Sequence, residues 1–117
     1  MRTMDWHRGP ALTLHITLQD TKPKIWRRFV VPEVITLDRL HDVIQIVMGW
    51  QDQHLHRFEI DGKRFCESPE EPSDGEEKTR VPLTSVLPLS AKQFSYLYEY
   101  GDHWLHRLIV DSKRLPV

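Results

Sequence analysis

The chain contains one cysteine, Cys66. A single thiol forms no internal disulfide and excludes a cysteine-rich zinc site. A reducing compartment is then the default, and the expected address is the cytoplasm. Charge of either sign is also not in excess. The formal net charge is −1 over 117 residues, unlike that of a strongly basic nucleic-acid binder. No apolar run approaches the roughly 18–20 residues that span a bilayer, so no membrane partner is expected. Met1–Pro10 has charges and Trp6 but no apolar core, which excludes a signal peptide. That leader is expected to be disordered over residues 1–10. Three catalytic signatures are missing as well: a Gly-x-Ser-x-Gly elbow, a Gly-rich phosphate loop and a His-Glu-x-x-His helix. Cys66 has no histidine near it in sequence and reads as a small buried hydrophobe. The reading leans away from an enzyme.

What is present is a globular composition, 39% hydrophobic and 28% charged, of the size of one domain. Leu12, Leu14, Ile16 and Leu18 alternate with polar residues and predict a half-buried strand. Asp20–Pro23 makes a turn, and a second strand follows over Ile25–Val31. The i, i+3, i+4, i+7 spacing of Leu37, Leu40, His41, Ile44, Val47 and Met48 predicts a helix, about 18 Å long. Thr36 is placed as its N-cap, Asp38 sits in its first turn, and Gly49 is placed just past its end. Strands are predicted over His54–Ile60 and Lys63–Cys66, joined at Asp61-Gly62. Residues 67–80 carry six carboxylates and almost nothing to bury, and read as a mobile acidic loop. Leu83–Leu87 suits one helical turn. Phe94–Tyr100 and Trp104–Val110 form a last hairpin, followed by a polar tail from Asp111.

The expected architecture is a single α+β domain over residues 11–117. Its mixed or antiparallel sheet has five to six strands, with one main helix packed on one face. A β-grasp-like arrangement would contain these parts.

The chain has seven histidines. Strand alternation sends His54, His56, Phe58 and Ile60 to one face. If Tyr100 pairs with Trp104, then Tyr98 opposes His106 on a shared face. His54, His56 and His106, with Asp102 in the adjoining turn, could hold a divalent metal such as zinc with a position left open. The alternative is that these imidazoles are hydrogen-bonded members of an aromatic core, and that is the favoured reading. His7, His15, His41 and His103 look like surface or helix-edge residues. Trp50, Trp104 and Tyr98 read as core or core-rim aromatics that could also rim a binding surface. Lys22, Lys24, Arg27 and Arg28 surround Trp26. That pattern suits either a nucleic-acid contact or an edge strand protected by charge.

Four ordered segments resemble one family. Lys22-Pro23-Lys24-Ile25-Trp26-Arg27-Arg28 is similar to the Lys-Pro-x-Ile-Trp-Arg-Arg signature of the plasmid pRiA4b ORF-3-like family. The stretch from Leu40, His41, Val43, Ile44 and Gln45 to Met48-Gly49-Trp50 agrees, as does His54-Leu55-His56 with Phe58. Tyr98-Glu99-Tyr100-Gly101-Asp102-His103-Trp104-Leu105-His106 resembles the family's Tyr-Asp-Phe-Gly-Asp-x-Trp-x-His pattern. Glu99 and Tyr100 replace the usual Asp and Phe. Family members commonly continue into a further Pro-, Gly- and acid-rich segment. The resemblance implies an α+β fold, a bacterial or archaeal origin near plasmids and mobile elements, and no established activity. Some relatives carry a resolvase label, but the activated serine among arginines that such chemistry needs is not found here. Three functions follow as expectations: a binding or accessory module with a protein or nucleic-acid partner, using Trp26, Arg27, Trp50, Trp104 and Tyr98; a metal-binding or metal-dependent hydrolytic site; or a purely structural domain of a larger protein.

Overall fold

Alternation along the first strand sets the plan of the molecule. In β1 (Ala11–Leu18), the apolar residues Leu12, Leu14, Ile16 and Leu18 are buried, while His15 and Thr17 on the other face are half-exposed. The remaining elements are β2 (Ile25–Pro32), α1 (Leu37–Met48), β3 (His56–Ile60), β4 (Lys63–Cys66), β5 (Glu76–Glu77), α2 (Leu83–Val86), β6 (Gln93–Tyr98) and β7 (Trp104–Arg114). The structure is a computed structural model that describes residues 10–50, 55–66, 76–77, 80–88, 91–98 and 104–114. The expected leader, residues 1–10, lies outside these except for Pro10, as does most of the acidic segment 67–80.

All seven strands form one sheet in the order β2-β1-β7-β6-β3-β4-β5, and every pairing is antiparallel except β4 with β5. The expected α+β architecture therefore needs correction. Instead of the expected five to six strands and one main helix in a β-grasp-like arrangement, the fold is a single, mostly antiparallel sheet of seven strands, which outweighs α1 and the four-residue α2. Two long-range pairings produce the difference. β7 inserts beside β1, antiparallel, so the first and last hairpins join into one continuous sheet. Glu76–Glu77, read as loop, add a two-residue parallel strand beyond β4. The strand count rises accordingly.

Leu37, Leu40, Ile44 and Met48 of α1 join the same apolar core as Leu14, Ile16, Phe58, Tyr96 and Leu108. Thr36 has the extended backbone of an N-cap, but its hydroxyl donates to the Asp38 carboxylate instead of capping a backbone N–H. The neighbouring segment supplies the missing acceptor, since the Leu37 N–H donates to the Val81 carbonyl at 3.0 Å. At the other end Gly49 has φ 79°, its N–H donates to the Ile46 carbonyl, and the Trp50 N–H donates to the Gln45 carbonyl. This pair of bonds is a Schellman motif, and it fixes the direction in which Trp50 leaves the helix. A Cβ at position 49 would meet nothing within 4 Å. Gly49→Ala is therefore expected to cost only backbone strain, about 1 kcal/mol, read as a lower urea midpoint. An unchanged midpoint would contradict the motif's role.

The register of the last hairpin also differs from expectation. Tyr98 pairs with Trp104, Tyr96 with His106 and Phe94 with Leu108, two residues from the predicted pairing. A slip of two preserves the face of every side chain, so the aromatic row survives with different partners. β7 runs on to Arg114 through the expected polar tail, and Asp111 is the extra residue of a bulge against β1. No helix among the described residues is long and apolar enough to cross a membrane.

Candidate functional site

Tyr96 is fully buried on β6, and its hydroxyl is the centre of a polar cluster inside the core. It accepts a hydrogen bond from Gln45 Nε2 at 2.9 Å and lies 2.6 Å from His41 Nδ1. One phenolic oxygen can accept the first bond and share its proton in the second. His41 and Gln45 sit four residues apart on α1 and so present one face to the sheet. The His41 ring stacks on His56 at a centroid distance of 3.5 Å.

His106, also fully buried, lies on the other side of Tyr96. Its Nδ1 is 3.1 Å from the Tyr96 carbonyl oxygen, and its Nε2 is 3.2 Å from Trp50 Nε1. A carbonyl only accepts and an indole N–H only donates, so the ring must be neutral, with its proton on Nδ1. Burial pushes its pKa below the ordinary 6.5, partly opposed by hydrogen bonds to the backbone of Tyr96 and Trp104. Trp50 then leans on Trp104 at 4.7 Å and stacks with Tyr98 at 6.3 Å.

These contacts locate the expected site residues. Trp50, Trp104, Tyr98 and His106 come together at one end of the core face, with His56 nearby against Tyr96. Tyr98 is buried, and the two tryptophans are half-buried. His54 and Asp102 lie outside the described residues. Among the described residues no three His, Cys, Asp or Glu side chains are grouped to hold a metal ion. A metal on His106 Nε2 would have to displace the Trp50 N–H. Sequence reasoning missed Tyr96 as the centre and placed His41 at the helix edge. Position 41 falls on the apolar stripe between Leu40 and Ile44, and that was the signal for its burial.

Trp26 and Arg27 are elsewhere, on edge strand β2. Trp26 shares the outer sheet face with His15, whose ring is 4.9 Å away. Arg27 Nη1 donates to the Trp26 carbonyl at 2.6 Å. Successive strand pairings carry Trp26 to Thr17, Thr17 to Arg107, Arg107 to Ser95, Ser95 to Glu59 and Glu59 to Arg64, one unbroken row across the outer face. Adjacent rows hold Arg28, His15 and Ile109, and Arg57, Leu97 and Leu105. Trp26, Val30, Leu105 and Ile109 are exposed on this face, with Trp26 48% accessible. Two ion pairs cross it, Arg28–Asp111 at 3.1 Å and Arg57–Glu59 at 3.2 Å. Glu59, Arg64, Gln93, Ser95 and Arg107 line a depression of about 550 Å³.

The family model described as "Plasmid pRiA4b ORF-3-like protein" matches residues 10–116. The uncharacterised protein y4hQ of Sinorhizobium fredii (strain NBRC 101917 / NGR234) is 42% identical over 103 residues, covering 86% of this chain and 53% of that protein. The chain thus spans about half the length of this curated relative. A crystal structure of MM3350, a protein of unknown function from Methanosarcina mazei Go1, superposes with a TM-score of 0.81 at 30% identity, covering 92% of this chain and 62% of the other.

Proposed function

Because the chain belongs to the plasmid pRiA4b ORF-3-like family, a family of unknown function, we propose that it serves as a non-enzymatic binding module whose contact surface is the open outer face of the sheet. One observation carries this reading: the polar groups of the core face are tied to one another, while the outer face leaves Trp26, Val30, Leu105 and Ile109 exposed. An antiparallel sheet tolerates solvent on one face, but it then ordinarily alternates apolar inward and polar outward. Aromatic and aliphatic side chains on the wet face suit a partner better than water. The plasmid in the family's name fits an accessory role beside mobile elements.

Capture from a lysate of the source cell tests the surface. Ile109→Glu places a charge in the middle of the outer face. Ile46→Glu does the same on the outward side of α1, where Ile46 is 78% exposed. Wild type and Ile46→Glu are expected to retain a common partner that Ile109→Glu loses. Equal retention by all three would remove the outer face from consideration.

A further inference from the structure

We propose that the outer face binds single-stranded nucleic acid, with phosphates held around Arg107 and Arg64 and a base stacked on Trp26. This rests on the outer-face reading above and names its partner.

The first support is charge. The chain as a whole is slightly acidic, but six of its 17 carboxylates fall within residues 67–77. The register places Arg28, Arg57, Arg64 and Arg107 on the outer face against two carboxylates, Glu59 and Asp111. On the outer face those two are already paired with Arg57 and Arg28. Arg107 is exposed and makes no side-chain hydrogen bond or ion pair among the described residues. It shares the depression with Arg64, Gln93, Ser95 and Glu59, two guanidinium groups beside an amide, a hydroxyl and a carboxylate that Arg57 already holds. Guanidinium forks and neutral donors of this kind suit phosphate oxygens. Phosphate neutralisation by such cations is the main source of affinity for a nucleic-acid backbone.

The second support is the row itself. Strand spacing of about 4.8 Å places Arg107 about 10 Å from Trp26 and makes the whole row to Arg64 about 24 Å long. That length suits a site of about four nucleotides. Trp26 rests against His15 by a tilted ring contact and leaves about half of its surface open to a base. Lys22 and Lys24, both exposed, precede Trp26 by four and two residues and add positive charge at that end of the row. A base stacks on such a ring only when it is free of its own duplex. The flat face presents no helix to enter a groove, so a single strand is favoured over a duplex.

Fluorescence anisotropy with a labelled homopolymer single strand of about twelve nucleotides, and a duplex of the same length, decides the matter. The single strand is expected to bind more tightly than the duplex and to weaken steeply between about 50 and 200 mM salt. Arg107→Glu should weaken binding about tenfold or more, and Arg107→Gln by less and with a shallower salt slope. Trp26→Ala should weaken it roughly tenfold. Arg39→Glu makes the same charge change on exposed helix surface and should leave affinity within about twofold. Far-ultraviolet circular dichroism confirms that each variant is folded. The proposal is overturned by no binding at low salt, by preference for the duplex, or by equal losses from Arg39→Glu and Arg107→Glu. A nuclease-resistant protein partner that Ile109→Glu abolishes would overturn it too, while leaving the outer-face reading intact.

Discussion

Tyr96→Phe is expected to lower stability by about 2–4 kcal/mol. The hydroxyl it deletes lies inside the buried core. It accepts from Gln45 Nε2 and lies 2.6 Å from His41 Nδ1, and all three residues are buried. Deleting the oxygen takes a partner from two polar groups at once, each at a desolvation cost of about 1–3 kcal/mol. Losing one buried polar partner is worse than losing both, so a second substitution should recover part of the loss. Gln45→Met keeps the length of the side chain and removes the donor. Tyr96→Phe combined with Gln45→Met should be more stable than the sum of the two single changes predicts, by about 1 kcal/mol. Urea denaturation of the four proteins closes the cycle. A Tyr96→Phe loss under about 0.5 kcal/mol would mean that the hydroxyl is not the hub of the cluster.

The same cluster separates what the sequence could reveal from what it could not. α1 and the inward faces of β1 and β3 were readable because each carries its own period, and a period needs no knowledge of partners. The two-residue error in the β6–β7 pairing came from assuming a three-residue loop. The face of Tyr96, Tyr98 and His106 was still right, because alternation survives a slip of two. The contact between β1 and β7 joins residues about a hundred positions apart. No local pattern specifies it, so the single seven-stranded sheet was out of reach and a smaller α+β arrangement was expected instead. The Trp26-to-Arg64 row depends on five separate registers and was hidden for the same reason. From sequence, Lys22, Lys24, Arg27 and Arg28 looked like an isolated basic run. Only the sheet order brings Arg107 and Arg64 into line with Trp26. His41 could have been found, because a polar residue on an apolar helix stripe is inside the core if the helix is placed correctly. Its partner Tyr96 could not, since the pairing of the helix with the central strands is again a long-range fact.

His106 should make the protein lose stability in mild acid. Its native pKa lies below 6.5, first because burial penalises the charged ring. Below about pH 6.5 the unfolded chain binds a proton at this position that the native state refuses, so each step down in pH favours unfolding. The slope for one group approaches 1.4 kcal/mol per pH unit and vanishes once the pH falls below the native pKa, where both states are protonated. Above pH 6.5 neither state is protonated and the group contributes no slope. The geometry gives the same sign independently, because a proton on Nε2 would face the Trp50 N–H, a donor against a donor at 3.2 Å. The described side chains that contact its ring, Trp50 and Tyr96, bring no carboxylate that would hold a proton on it. His106→Gln removes the titration while keeping a donor and an acceptor. Between pH 7 and 5 the native protein should lose more stability than this variant, by no more than that limiting slope allows, measured by urea denaturation at each pH. Nitrogen-15 spectra of the imidazoles at neutral pH should show His106 protonated at Nδ1 alone. A ring protonated at Nε2, or an equal acid slope in the variant, would refute the assignment and free His106 from its structural role.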